Sequence, residues 1–221
     1  IDWRTDLKNN IEVNYYGTDP KLFKPKFRKR KWREDGVIKL LYISAYYPHK
    51  QPGLIAEAVR LLNLMGIPSH LTLTMSLEDI KKVPGGEKDF FLLSKSINRR
   101  QTTMVGNIPY KDLSSIYSTH DLFVFPSISE TFGHPLAESM SMGLPIIASD
   151  TPIHREICGE AALYFAPLKP SSLIEQVRIL DESSSKRHPL IKAGYENVRK
   201  KYQWEKHVDR LMVSFEKIIQ S

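Results

Sequence analysis

Two carboxylates eight residues apart, Glu130 and Glu138, stand within the stretch DLFVFPSISETFGHPLAESMSMGLPIIASD at 121–150. On one continuous helix, eight steps would leave them about 80° apart around the axis and roughly two turns apart along it. The residues between them do not read as one helix. Pro126 closes an apolar run, 127–134 is a polar loop containing Gly133, and Pro135 suits the first turn of a helix. Gly143 and Pro145 then end that helix. Glu130 precedes the helix and Glu138 lies in its first turns, so both can border one cleft. Unpaired N–H groups around 133–136 and the positive helix end form an anion site between them. Gly133 lets a ligand approach the backbone closely. Carboxylates accept hydrogen bonds from hydroxyls, so a phosphate at the helix end flanked by two of them suits a sugar nucleotide. The same spacing fits a surface loop carrying two solvated glutamates.

Lys50, in SAYYPHK, follows an apolar run and is placed to meet phosphates at a sheet's carboxyl edge. A loop lysine is also commonly just solvated. No histidine–cysteine cluster has metal-ligand spacing, and there is no aspartate-x-aspartate pair, so no metal is expected. Ser127 and Ser129 lack the glycine-flanked turn of a nucleophilic serine.

The elements that must position these groups alternate along the chain. Strands are expected at 37–44, 70–75, 102–105, 122–125, 144–148 and 161–165, with a further short candidate at 11–16. Helices are expected at 53–64, 87–97, 112–117, 135–142 and 153–157, then from 170, at 188–202 and at 204–219. Strands alternating with helices imply an α/β fold, a Rossmann-like parallel sheet with helices on both faces and a helical C-terminal tail. Ligands then bind at the carboxyl ends of the strands. Residues 1–36 lack a strong period and hold a basic connector, and 37–221 hold the alternating elements.

Composition narrows the classes. The 221 residues are 41% hydrophobic, enough for one sizeable core. No apolar run approaches the ~20 residues of a membrane span, and no signal peptide opens the chain. With one cysteine, Cys158, an intrachain disulfide is impossible, which fits a cytoplasmic protein. The net charge of +7 is local, because KLFKPKFRKRKWR at 21–33 holds eight basic residues and no acid. That run fits a solvated connector, or peripheral contact with an anionic membrane at its inner face. Phe23, Phe27 and Trp32 interleave with it, but no nucleic-acid motif follows, and no nucleic-acid partner is expected.

ETFGHPLAE at 130–138, with PSISE before it and SMSMGLPIIAS after it, resembles the E-x7-E signature of the retaining glycosyltransferases of GT-B fold, the group 1 or family 4 type. IEVNYYGTDPKLFKP at 11–25 is similar to that family's interdomain segment, so the chain resembles the C-terminal, donor-binding half of a two-domain enzyme, which implies an interdomain-like segment with a basic connector at 1–36 and a nucleotide-sugar-binding Rossmann-like domain at 37–221. The resemblance implies that Glu138 holds the ribose hydroxyls. It places Glu130 beside the donor sugar, binding a hydroxyl or stabilising positive charge at the anomeric carbon. It puts Lys50 on the diphosphate and makes Glu130 and Lys50 the catalytic pair. Phe132, Gly133, His134 and Pro135 would face the diphosphate and sugar, and Val105, Gly106 and Asn107 the nucleobase. Ser44 and Ala45 stand where the family has glycine and arginine, which leaves His49 as a substitute for the second basic contact. Glu156 matches a glutamate often seen after the signature. The implied donor is a UDP- or GDP-linked sugar, without a cofactor, and the implied partner is an N-terminal acceptor-binding domain. The chain by itself would bind donor and transfer nothing. Rival readings are a non-catalytic sugar-nucleotide-binding or assembly module, and an epimerase or phosphorylase on the same fold.

Overall fold

The computed structural model describes residues 12–24 and 30–220. Its core is one parallel sheet of β1 (Ile38–Tyr42), β2 (Ser69–Leu73), β3 (Thr102–Met104), β4 (Leu122–Phe125), β5 (Ile146–Ser149) and β6 (Ala162–Phe165). The spatial order is β3-β2-β1-β4-β5-β6. Every residue of β4 and β5 is buried, as their unbroken apolar runs require of strands covered on both faces. Leu40 pairs with Leu71 on one side and Leu122 on the other, and Phe123 pairs with Ile146. Strand order reverses between β1 and β4, and at such a switch point the crevice at the carboxyl ends is the ligand position.

Parallel neighbours need crossovers. These are α1 (Pro52–Leu64), α2 (Leu77–Lys81), α3 (Glu87–Asn98), α4 (Leu113–Ser118), α5 (His134–Met142) and α6 (Pro152–Cys158). The tail adds α7 (Pro170–Glu182), α8 (Ser184–Lys201) and α9 (Trp204–Gln220). The sequence reading lacks α2, although Ser76 and Asp79 cap it reciprocally, in a side-chain and backbone exchange that a serine three residues before a carboxylate signals. Helix α8 begins four residues before the expected 188, capped by Ser183, and carries Pro189 inside it.

Residues 12–16 are not a strand, and Ile11 lies outside the described residues. Their polar groups go to α9 instead. Asn14 Nδ2 donates to His207 O at 3.0 Å, and Arg210 donates to Asn14 Oδ1 and to Tyr15 O, each at 2.9 Å. Ser214 Oγ donates to Glu12 at 2.6 Å, and Lys217 pairs with the same carboxylate. The chain passes so close at Gly17 that a Cβ there would lie 2.2 Å from the Trp204 amide nitrogen. One flank of α9 is thereby paired, while Val208, Met212 and Phe215 of its apolar stripe are at least half exposed.

The basic run is partly internal. Arg30 Nε lies 2.9 Å from Oδ2 of Asp121, a wholly buried carboxylate that also accepts from the Arg33 and Lys39 amides. Arg33 pairs with Asp181 at 2.7 Å. Residues 25–29 lie outside the described residues. Phe23 is buried against Tyr110 and Tyr117. Among the described residues, no helix is long and apolar enough to cross a membrane.

Candidate functional site

A cleft of about 630 Å³ opens at the carboxyl ends of β1, β2 and β3, lined among others by Ser44, Ala45, Thr74, Asn107, Leu113 and Pro135. Its loop at 44–51 is pinned from several sides. The Ser44 N–H donates to Thr74 Oγ1 at 3.1 Å. Tyr46 OH donates to Asp89 Oδ2 at 3.0 Å, and the other oxygen of that carboxylate takes the Gly53 N–H at the start of α1, also at 3.0 Å. Tyr42 OH reaches Lys50 O at 3.1 Å, and Ile128 N–H reaches His49 O at 3.0 Å.

These tethers bring Lys50 to Glu130. The ammonium is 2.5 Å from Oε1, with only 14% and 10% of the two side chains exposed, and it lies 5.9 Å over the Phe125 ring. Glu130 ends a loop held from below: Ser127 Oγ donates to Ser129 O at 3.0 Å, and Ser149 Oγ donates to Ser127 O. The two residues expected to form the catalytic pair therefore meet.

Helix α5 starts at Gly133, whose φ of +82° is a left-handed conformation suited to glycine. A side chain there would also press on Leu136 at 3.2 Å and Phe125 at 3.4 Å. Leu136 N–H folds back onto Gly133 O at 2.9 Å, and Pro135 has no N–H. Of the amides expected at 133–136, this leaves those of Gly133 and His134 for an anion.

Glu138 is one turn further on and only 5% exposed. Its Oε2 accepts from Tyr117 OH at 2.9 Å, and the same hydroxyl is 3.3 Å from Pro135 O on the cleft wall. Burial raises the carboxyl pKa from 4.5 to about 7, against the lowering effect of that hydrogen bond. A carboxylate so poor in water is stabilised by any hydroxyl donors that reach it. A vicinal diol supplies two.

The other expected site residues divide. Phe132 is buried against Tyr16 and Tyr202, which leaves its backbone for a ligand. His134 is exposed, its ring 4.9 Å from that of Tyr16, and partial desolvation lowers its pKa. His49 stacks on Tyr47 and, like Lys50, Glu130, Gly133, His134 and Glu138, is not among the residues lining the cleft. Val105 is 44% exposed and lines a separate groove with His70 and His120. Gly106 turns with a φ of +70° between Val105 and cleft-lining Asn107. Glu156 accepts from Tyr15 OH at 2.8 Å, a tie to the N-terminal segment. Sequence reasoning missed Tyr117, whose only signal is its place in an amphipathic segment, and the Ser149 contact beneath the loop. Among the described residues, no group of three or more His, Cys, Asp or Glu side chains could hold a metal ion.

Known proteins place this geometry. The chain is 27% identical over 208 residues to the sulfoquinovosyl transferase SQD2 of Arabidopsis thaliana, covering 89% of this chain and 38% of that protein. It is 29% identical over 129 residues to the O-antigen chain mannosyltransferase B of Escherichia coli, covering 58% of this chain and 32% of that protein. It thus spans about a third of the length of these curated relatives. The crystal structure of Anabaena Alr3699/HepE in complex with UDP and glucose superposes with a TM-score of 0.74 at 18% identity, covering 93% of this chain and 57% of that one. Residues 23–197 match the family described as Glycosyl transferases group 1. This chain belongs to the glycosyl transferases group 1 family.

Proposed function

We propose that the chain is the donor-binding part of a retaining glycosyltransferase that moves a sugar from a nucleoside diphosphate to an acceptor. The observation that carries this reading is the meeting of Lys50 and Glu130 beside the N-terminus of α5, with Glu138 buried one turn on. Ser44 and Asn107 border the cleft in which the nucleotide lies. The diphosphate takes the Gly133 and His134 amides and the Lys50 ammonium. These donors stabilise the charge that develops on the departing phosphate, commonly the largest catalytic effect of such sites. The ribose diol hydrogen-bonds to Glu138. Glu130 faces the donor sugar, and transfer proceeds with retention at the anomeric carbon. HepE was solved with UDP and glucose, which supports a nucleoside diphosphate here, whether UDP or GDP. The O-antigen relative supports a role in polysaccharide assembly.

The acceptor site belongs to a second domain. The apolar stripe of α9 and the small share of the relatives' length covered support this. Catalysis needs both reactants in near-attack geometry, an effect on the order of 7–11 kcal/mol, so this chain alone binds donor and does not transfer it. Membrane contact through the basic run loses Arg30 and Arg33 to internal pairs, and Lys21, Lys24 and Lys31 remain for it among the described residues.

Thermal-shift screening against UDP- and GDP-sugars tests the reading, because a ligand that binds only the folded state raises its melting temperature. One of the two series should stabilise the chain. Stabilisation by neither contradicts donor binding, and robust transfer by the 221 residues alone contradicts the half-enzyme assignment.

A further inference from the structure

Occupying the proposed donor site leaves a charge unaccounted for. Lys50 is the ion-pair partner of Glu130, and a diphosphate that takes Lys50 strips that partner from a nearly buried carboxylate. Uncompensated buried charge is strongly unfavourable. The structure holds an unused buried group against Phe125, the ring under Lys50. His154, in α6, is wholly buried. Its Nδ1 is 2.8 Å from Ser149 O and 3.0 Å from Ser149 Oγ. The carbonyl can only accept, so the proton sits on Nδ1 and the lone pair on Nε2. That Nε2 is buried with no hydrogen-bond partner. A buried orphan acceptor is a cost that native structures rarely leave unexplained.

Three features tie this orphan to Glu130. The His154 ring meets Phe125 edge-on at 5.2 Å, and Phe125 is the ring beneath Lys50. The imidazole feels the charges of both Glu130 and Lys50. Ser149, which fixes the His154 tautomer, also holds Ser127 O at the root of the Glu130 loop. Other titratable groups near His154 are otherwise engaged or inert. Arg155 pairs with Asp150 and Glu156 with Tyr15, Tyr164 OH reaches the His154 carbonyl oxygen, and burial holds the Cys158 thiol protonated.

Resting on the donor-site reading above, we propose that His154 is a positioning residue for Glu130. When a donor diphosphate draws Lys50 away, His154 takes one proton from solvent at Nε2 and replaces Lys50 as the partner of Glu130. The carboxylate stays ionised and aimed at the sugar, and the orphan nitrogen gains its hydrogen bond. Burial, the largest effect, and Lys50 depress the imidazole pKa, while the Ser149 carbonyl and Glu130 raise it, so the departure of Lys50 shifts the balance towards the imidazolium.

The test uses UDP and GDP on the whole chain. Calorimetry in two buffers of different ionisation enthalpy gives the protons exchanged on binding. Wild type should take up about one proton more than His154→Asn, whose amide keeps the bond to Ser149 O but lacks Nε2. His154→Asn should bind the diphosphate about one to two decades more weakly, and His154→Gln, with an amide near the Nε2 position, should recover part of that loss. Nitrogen NMR of unmutated protein provides a check independent of variant folding: on nucleotide addition, the His154 Nε2 signal should move from the unprotonated to the imidazolium range. A His154 signal that stays put, or equal proton uptake in wild type and His154→Asn, overturns the proposal while the donor site stands. Absence of binding to wild type by either nucleotide overturns the donor site itself, and this proposal with it.

Discussion

Lys50 and Glu130, eighty residues apart in sequence, form an ion pair of 2.5 Å in which neither side chain is more than 14% exposed. A diphosphate must therefore compete with a carboxylate for this lysine. Lys50→Ala should weaken UDP or GDP binding by about one to two decades, the value of a charged hydrogen bond, and leave the affinity for uridine or guanosine nearly unchanged. Glu130→Ala should cost about 3–5 kcal/mol of stability, because it strands the buried Lys50 ammonium, and Lys50→Ala should cost less, because protonated His154 can take over the carboxylate. Lys50→Ala with Glu130→Ala together should cost less than the sum. Equal losses for nucleoside and nucleoside diphosphate would remove Lys50 from the phosphate site.

Glu138 carries a conflict between stability and binding. Its folded pKa of about 7 lies above the ordinary 4.5, so its protonated form favours the folded state. Its contribution to stability is full below pH 4.5 and declines as pH rises through about 7. The difference is on the order of 3 kcal/mol. Glu138→Gln should therefore be more stable than wild type at pH 8 and show little gain at pH 4, by urea titration. It should also lose nucleotide affinity by about one to two decades. A variant no more stable at pH 8 would mean that Glu138 is not paying a desolvation cost.

Tyr117 holds the same carboxylate. Its hydrogen bond lowers the Glu138 pKa, so Tyr117→Phe should raise that pKa. Because the ribose is held by the ionised form, nucleotide affinity near pH 7 should fall, and its pH profile should move to higher pH. An unchanged profile in calorimetry from pH 6 to 9 would leave Tyr117 a packing residue only.

Most of the sheet was legible because burial on both faces writes itself as unbroken apolar runs. Leu122–Phe125 was read to the residue. Pro135 and Gly143 marked the ends of the signature helix to within one residue, and Gly133, read as a loop residue, is its N-cap with a positive φ. What could not be read depends on partners distant in sequence. The alternating residues 12–16 suit a strand, but their hydrogen bonds go to a helix about two hundred residues later. Arg30 and Arg33 look solvated in a basic run, and their acids, Asp121 and Asp181, lie 91 and 148 residues away. Tyr117 and His154 carry no local mark, because their meaning comes from Glu138 and from the Lys50–Glu130 pair.

The basic run should accordingly respond unevenly to mutation. Arg30→Ala strands the buried Asp121 carboxylate and should cost about 3–5 kcal/mol in denaturant titration. Lys31→Ala, at an exposed position, should stay within about 0.5 kcal/mol of wild type. Similar effects for the two would mean that the Arg30–Asp121 pair is not formed in solution.

Donor binding is tested most directly by titrating UDP and GDP into the 221-residue chain by calorimetry, with Glu138→Gln measured in parallel. One nucleotide should bind wild type with a dissociation constant in the micromolar range or weaker, and the variant should bind it at least about tenfold less tightly. No heat from either nucleotide, or the same affinity in wild type and Glu138→Gln, would contradict a donor site built on the signature carboxylates.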